Sequence, residues 1–236
     1  MNIFLLGDVP NDLVSFTFFI GTMAMMAASV FFFLSLDAGG GKWRTSMLVS
    51  GLITFIAAVH YYYMRDANVS GADVTFFRYV DWILTVPLMC VEFYLILAKA
   101  GATKKLMWQL IGLSTVMLVA GYIGETGDSP VLYGTISGIA YFVMVGMLWL
   151  GSPKALAEKA GGSVLEAYNA LCWFILVGWS IYPIGYMIGT DGWYDFVDAI
   201  PLDMDVVYNI GDAINKIGFG LVTVSYTHLT LPTNSN

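Results

Sequence analysis

Asp212 and Lys216, four residues apart in an apolar stretch, set a chemical problem. Residues at i and i+4 share a helix face, so an acid and an amine would meet inside that helix. Desolvation favours the neutral, nucleophilic amine, which can condense with a carbonyl compound as a Schiff base. A structural salt bridge is the alternative. A second set consists of Arg78, Asp81, Thr85 and Glu92. At about 100° per residue these four fall in one stripe about 60° wide, spread over about 21 Å of helix. Acids several turns apart on one face suit stepwise proton transfer better than a polar seam between helices. Each charge at the centre of a bilayer costs at least ~2.5–3.5 kcal/mol, which makes a chance origin for the set expensive.

The elements that position these groups follow from composition. Of 236 residues, 58% are hydrophobic and 11% charged, with a formal net charge of −7 and a mean hydropathy of +0.74. Soluble domains carry about 25% charged residues, so a soluble enzyme, a disordered chain and a nucleic-acid binder are excluded. Cys90 and Cys172 fall in apolar runs and make no disulfide scaffold. No metal site is expected. A bilayer span takes about 20 apolar residues in a helix. The runs that qualify are 14–36, 44–63, 74–98, 106–123, 131–150, 165–188 and 206–223, separated by glycine- and proline-rich breaks. The expected fold is an all-α membrane protein, a seven-transmembrane-helix bundle forming one domain over 1–223.

Charge orients the bundle. Lys42, Arg44, Lys99, Lys104, Lys105, Lys154 and Lys159 collect on one side and Arg65 alone on the other. That bias places the N-terminus outside and the C-terminus in the cytoplasm. Acids such as Asp66, Asp73, Glu125, Asp128, Asp203 and Asp205 gather at the outer end and read as a solvated face. No base precedes Lys42, and the apolar stretch at 3–6 is too short for a signal-peptide core. Either a leader was removed or the first span serves as the insertion signal. From Val224 the chain turns polar, unlike a membrane helix, and 224–236 reads as a non-native tail. Setting aside His228 in that tail leaves His60, in the second span.

The seventh run lacks proline and reads as continuous, whereas solute transporters tend to break helices at the midplane. Tyr79, Trp82, Trp179, Tyr182 and Tyr186 could hold a flat apolar ligand, the last three sharing a helix face; plain helix packing is the commoner use of such residues.

The run Arg78-Tyr-Val-Asp-Trp-Ile-Leu-Thr-Val-Pro-Leu, followed by Glu92-Phe-Tyr, is similar to the third helix of proteorhodopsins, within the microbial rhodopsins. Trp179-Ser-Ile-Tyr-Pro183 resembles their sixth helix and Tyr208-Asn-Ile-Gly-Asp-Ala-Ile-Asn-Lys216 their seventh. The likeness covers about residues 11 to 223. It implies that Lys216 holds all-trans retinal as a protonated Schiff base. Asp81 would be primary counterion and proton acceptor, Asp212 the second counterion, Arg78 the residue that shapes both, and Glu92 the cytoplasmic donor. Thr85 completes the Asp-Thr-Glu pattern of proton-pumping members. Trp82, Trp179, Tyr182, Pro183 and Tyr186 look like the retinal cage, with Tyr79 beside them.

By the same resemblance, His60 contacts Asp81; a packing histidine is the alternative. Thr17 stands where close relatives carry a tryptophan that meets this histidine across a subunit boundary, a departure that bears on that contact and not on the His60–Asp81 pair. Met89 occupies the colour-tuning position, where an apolar residue goes with green absorption and glutamine with blue. Glu125 is similar in position to an acid near the extracellular exit, or is a plain loop acid. The implied function is a light-driven outward proton pump, not an enzyme, multi-pass in the bacterial inner membrane and homo-oligomeric. Its partners would be retinal, protons and the lipid bilayer, with no nucleic acid. The leading rival is a sensory rhodopsin signalling to a membrane partner, against which Glu92 argues. A sodium pump would show Asn-Asp-Gln at positions 81, 85 and 92, and a chloride pump would lack the Asp81 carboxylate. A retinal-free receptor or transporter would use Lys216 only in a salt bridge.

Overall fold

The computed structural model describes residues 12–37, 41, 43–190 and 203–229. The first eleven residues, Lys42 and the segment 191–202 lie outside them, so the readings at 3–6 and at Lys42 are not addressed by it. All regular structure among the described residues is helical: α1 (Leu13–Leu34), α2 (Arg44–Val69), α3 (Thr75–Leu97), α4 (Lys104–Thr126), α5 (Pro130–Leu150), a short α6 (Ser152–Ala160), α7 (Gly162–Trp173), α8 (Ile181–Ile188) and α9 (Met204–Leu229). A π-helical turn, Phe174–Gly178, joins α7 to α8, and together they form one rod. Six rods are long and apolar enough to cross a membrane. The seventh, α9, has 26 residues but is more polar, carrying Asp205, Asp212 and Lys216.

The rods close a ring. α1 packs on α2 and α9, α2 on α3, α3 on α4, α4 on α5, and α7 and α8 complete the circuit between α5 and α9. Burial is inverted relative to a soluble domain. Phe19, Ile139, Phe142 and Leu150 are exposed around the outside, while Arg78, Asp81, Glu92, Asp212 and Lys216 are buried within. Lipid replaces water around such a bundle, so exposed apolar side chains cost nothing there and the interior becomes the place for charge.

Local chemistry sets the ends. Asp12 caps α1 by accepting from the Ser15 backbone N–H at 2.7 Å. That bond holds the Asp12 carboxyl below the usual carboxylate range. Pro130 occupies the first turn of α5, where its missing N–H leaves no bond unmade. Gly161 and Gly162, at the break anticipated between the fifth and sixth runs, have φ of +62° and +49°, which favours glycine.

Helix lengths depart from the apolar runs. α2 continues past 63 to Val69 through Arg65-Asp66-Ala67-Asn68, because the run of apolar residues marks bilayer thickness and not helix length. α9 likewise continues across the boundary drawn at Val224, with Val224 itself buried in a cluster with Phe32 and Met47.

The sixth rod, which contains the run 165–188, is irregular at its middle. Pro183 has no N–H to give the Trp179 carbonyl, and the Tyr182 N–H supplies it instead at 3.2 Å. The Trp179 N–H reaches back five residues to the Phe174 carbonyl, at 3.0 Å. Carbonyls freed by this slip are satisfied from neighbouring rods. Tyr141 on α5 donates to the carbonyls of Ile175 and Leu176, both at 2.9 Å, and Asn215 on α9 donates to that of Gly178 at 2.9 Å. Gly178 is required for the last contact, since a Cβ there would sit 2.0 Å from Asn215 Oδ1.

Candidate functional site

The stripe read from α3 faces inward along its whole length: Arg78, Asp81, Thr85 and Glu92 are all buried. Opposite it, one turn of α9 presents Asp212 and Lys216. Their meeting point is Lys216 Nζ, which donates to Asp81 Oδ2 at 2.5 Å and to Asp212 Oδ2 at 2.9 Å. One buried cation thus stands between two buried acids, an arrangement that holds only if the surplus negative charge is satisfied elsewhere.

The two acids are satisfied unequally. Asp212 accepts from Tyr61 at 2.9 Å, from Tyr182 at 2.5 Å and from Trp82 Nε1 at 3.1 Å. Asp81 Oδ1 has no hydrogen-bond partner among the described residues. His60 Nδ1 lies 3.9 Å from that oxygen, within ion-pair range and beyond a hydrogen bond. The same nitrogen is 2.9 Å from the Ile56 carbonyl, which can only accept, so Nδ1 carries the proton of that bond. The Thr85 hydroxyl donates to the Asp81 backbone carbonyl, not to its carboxylate.

Arg78 does not touch either acid directly. Its guanidinium donates to Asp205 at 2.7 Å and to Asn209 at 3.3 Å, with the Phe18 and Tyr208 rings 5.6 and 5.1 Å away. Asp205, read from sequence as one of many solvated acids, is thereby the direct partner of a buried cation. Nearby, Tyr79 donates to Glu125 at 2.7 Å. Thr17 also faces inward, accepting from Asn209 Nδ2 at 3.0 Å, which places it within the bundle.

Glu92, toward the lysine-rich end, contrasts with all of these. It is wholly buried, and neither carboxylate oxygen has a hydrogen-bond partner among the described residues. The hydroxyls of Ser46 on α2 and Thr223 on α9 are its polar neighbours.

A cavity of about 560 Å³ begins at Lys216 and Asp212 and runs toward α5. Every aromatic position singled out from sequence lines it, namely Tyr79, Trp82, Trp179, Tyr182 and Tyr186, together with Pro183 and Met89. Tyr182 and Tyr208 stack at 5.8 Å, and Trp82 meets Tyr182 edge-on at 4.8 Å. The far walls come from Met117, Leu118 and Gly121 on α4 and from Tyr141 on α5, none of them anticipated. Gly121 lets the Tyr79 hydroxyl approach, since a Cβ there would lie 2.9 Å from it. Tyr61, Asn209 and Asn215 were also missed, although each is polar within an apolar run and next to, or one turn from, a residue that was singled out. The site offers a mostly apolar slot between α9 and α5 with one amine in its lining and negative charge around that amine.

Comparison with known proteins shows the family of this fold. Residues 12–230 match the family described as bacteriorhodopsin-like protein. The chain is 45% identical over 224 residues to the blue-light absorbing proteorhodopsin of Gamma-proteobacterium Hot 75m4, covering 92% of this chain and 87% of that one. Identity to the green-light absorbing proteorhodopsin of Gamma-proteobacterium EBAC31A08 is 43% over 223 residues, with the same coverage of 92% and 87%. Among solved structures, blue light-absorbing proteorhodopsin from Med12 superposes with a TM-score of 0.75 at 36% identity, covering 92% of this chain and 98% of that one. Xanthorhodopsin, described as a light-driven ion pump with dual chromophore, gives 0.80 at 28% identity and covers 93% of each chain.

Proposed function

Because this chain belongs to the bacteriorhodopsin-like family, we propose that it is a light-driven outward proton pump carrying all-trans retinal on Lys216. The observation that carries this reading is the buried Lys216 amine held between Asp81 and Asp212 at the end of an aromatic-walled slot. The slot fits such a group, being mostly apolar, reaching from α9 to α5, and having a single amine in its lining. Retinal, once joined to Lys216 as a protonated Schiff base, supplies light absorption and a light-driven change of shape.

The protein supplies the direction. Asp212, tied to three donors, serves as fixed negative charge. Asp81 faces the Lys216 nitrogen with one oxygen and has the other without a hydrogen bond among the described residues, which suits it to take the proton. His60 acts on Asp81 through space at 3.9 Å. Arg78, with Asp205, carries the polar path on toward the acidic end, and Thr85 fixes the α3 backbone at Asp81. Glu92, buried with only the Ser46 and Thr223 hydroxyls as polar neighbours among the described residues, keeps its proton until the Lys216 nitrogen needs one. Its position toward the lysine-rich end makes that end the uptake side. With lysines cytoplasmic, the N-terminus outside and the C-terminus inside, the proton moves outward from the bacterial cytoplasm across the inner membrane. Moving it against the membrane potential costs ~2.3 kcal/mol per 100 mV, which light must supply. The apolar Met89 in the slot supports green absorption, and the family resemblance a homo-oligomer.

Illumination of a suspension of bacterial cells expressing the chain with retinal tests the reading. External acidification that a protonophore abolishes is expected. A coloured protein that leaves external pH unchanged would favour the sensory alternative, and the absence of colour would remove retinal from the account.

A further inference from the structure

The slot is closed on most sides and thin on one. In the ring of rods, the seam between α5 and the α7–α8 rod is the loosest. Two hydrogen bonds frame it. Tyr141 on α5 donates to the Ile175 and Leu176 carbonyls at one end, and Tyr186 on α8 donates to the Pro130 carbonyl at 2.7 Å at the other. Residues 130 and 141 are about 16 Å apart along α5. Along this seam, Ile139, Phe142 and Ile184 line the cavity and are also 60%, 66% and 41% exposed on the outer surface. The wall there is one side chain thick. Gly138 leaves it thinner still, since a Cβ built on it meets nothing within 4 Å.

Among the described residues the frame offers no free hydroxyl donor to a passing molecule. The hydroxyls of Thr135, Ser137 and Ser180 donate to the Val131, Met117 and Val177 carbonyls. Only apolar groups remain around the opening, and its outer face is the apolar surface that meets lipid. Toward the acidic end, by contrast, the way to Lys216 is crossed by the Arg78–Asp205 and Tyr79–Glu125 contacts. Toward the lysine-rich end it is filled by buried Phe93, Tyr168 and Phe219. A lipid-dissolved, apolar polyene aldehyde would have to shed little hydration to enter by the seam and much to enter by either end.

We propose that the seam between α5 and α8, at Gly138, Phe142 and Ile184, is the portal through which retinal passes from the bilayer to Lys216. This rests on the reading of the slot as a retinal site. The test is the rate at which visible absorbance rises when all-trans retinal is added to the full chain, made without retinal and held in lipid vesicles. Gly138→Trp should slow pigment formation about tenfold, as an added barrier of about 1.4 kcal/mol gives. Phe142→Ala, which removes a lipid-exposed side chain and leaves the core untouched, should speed it. Gly146→Trp is the control: it lies on the same helix, also in open space, and off the cavity, so the wild-type rate is expected. Wild-type rates in both Gly138→Trp and Phe142→Ala, or equal slowing in Gly146→Trp, would overturn the portal. If Gly138→Trp forms no pigment, Phe142→Ala decides: a faster rise supports the portal and an unchanged one overturns it. Failure of the wild-type chain to form pigment would defeat the retinal reading itself, which is a different result.

Discussion

Between Lys216 and the acidic end, polar groups follow one another closely: Asp81 and Asp212, then Tyr61, Tyr182 and Trp82, then Arg78 with Asn209 and Asp205. Between Lys216 and the lysine-rich end, Glu92 is the one buried carboxyl among the described residues, with the Ser46 and Thr223 hydroxyls beside it, about 16 Å along α3 from Asp81. Beyond Thr85, the buried side chains of Val86, Met89 and Cys90 lie on α3 in between. A proton that reaches Asp81 finds hydrogen-bonding groups ahead of it. One that must come back has a single carboxyl to come from and a largely apolar interval to cross. The same helix thus builds an open side and a guarded side, and that asymmetry is what a one-way device needs.

The largest effect expected is loss of the point both sides share. Lys216→Ala should yield no visible absorbance with retinal, and a coloured variant would mean that the amine is elsewhere. Next comes the guarded side. Glu92→Gln should slow recovery after a flash by roughly 100-fold, the lower range for a positioned proton donor. Its colour should be kept, because Glu92 does not line the cavity. Recovery at the wild-type rate would remove Glu92 from the donor role and the comparison with it. The smallest effect belongs to the open side. Asp205 is 42% exposed, and Arg78 keeps Asn209 and two aromatic rings without it. Asp205→Asn should therefore cost no more than about 1 kcal/mol in thermal bleaching. A much larger loss would show that the open side depends on that one pair.

Much of this was legible in the sequence, and the reason is the solvent. In lipid a charge is conspicuous, so Arg78, Asp81, Glu92, Asp212 and Lys216 stand out from the apolar runs, and helical spacing alone puts the first three on one face. What stayed hidden was ordinary in composition. Asp205 looked like its neighbours among the outer acids until Arg78 was seen against it. Tyr61 lies in a run of three tyrosines, and only packing against α9 selects the one that reaches Asp212. The break in the sixth rod depends on side chains from two other rods, Tyr141 and Asn215, and no reading of 165–188 by itself would supply them. The α4 and α5 walls of the slot are plain apolar residues and glycines, which carry no signal until a neighbour is known.

The central claim is that light sends the proton from the Lys216 site to Asp81, and infrared difference spectroscopy of the carboxyl region tests it most directly. Illumination of the wild-type pigment should produce a protonated-carboxyl band that disappears in Asp81→Asn. A band of undiminished size in Asp81→Asn would contradict the account, because the proton would then be going to another acid.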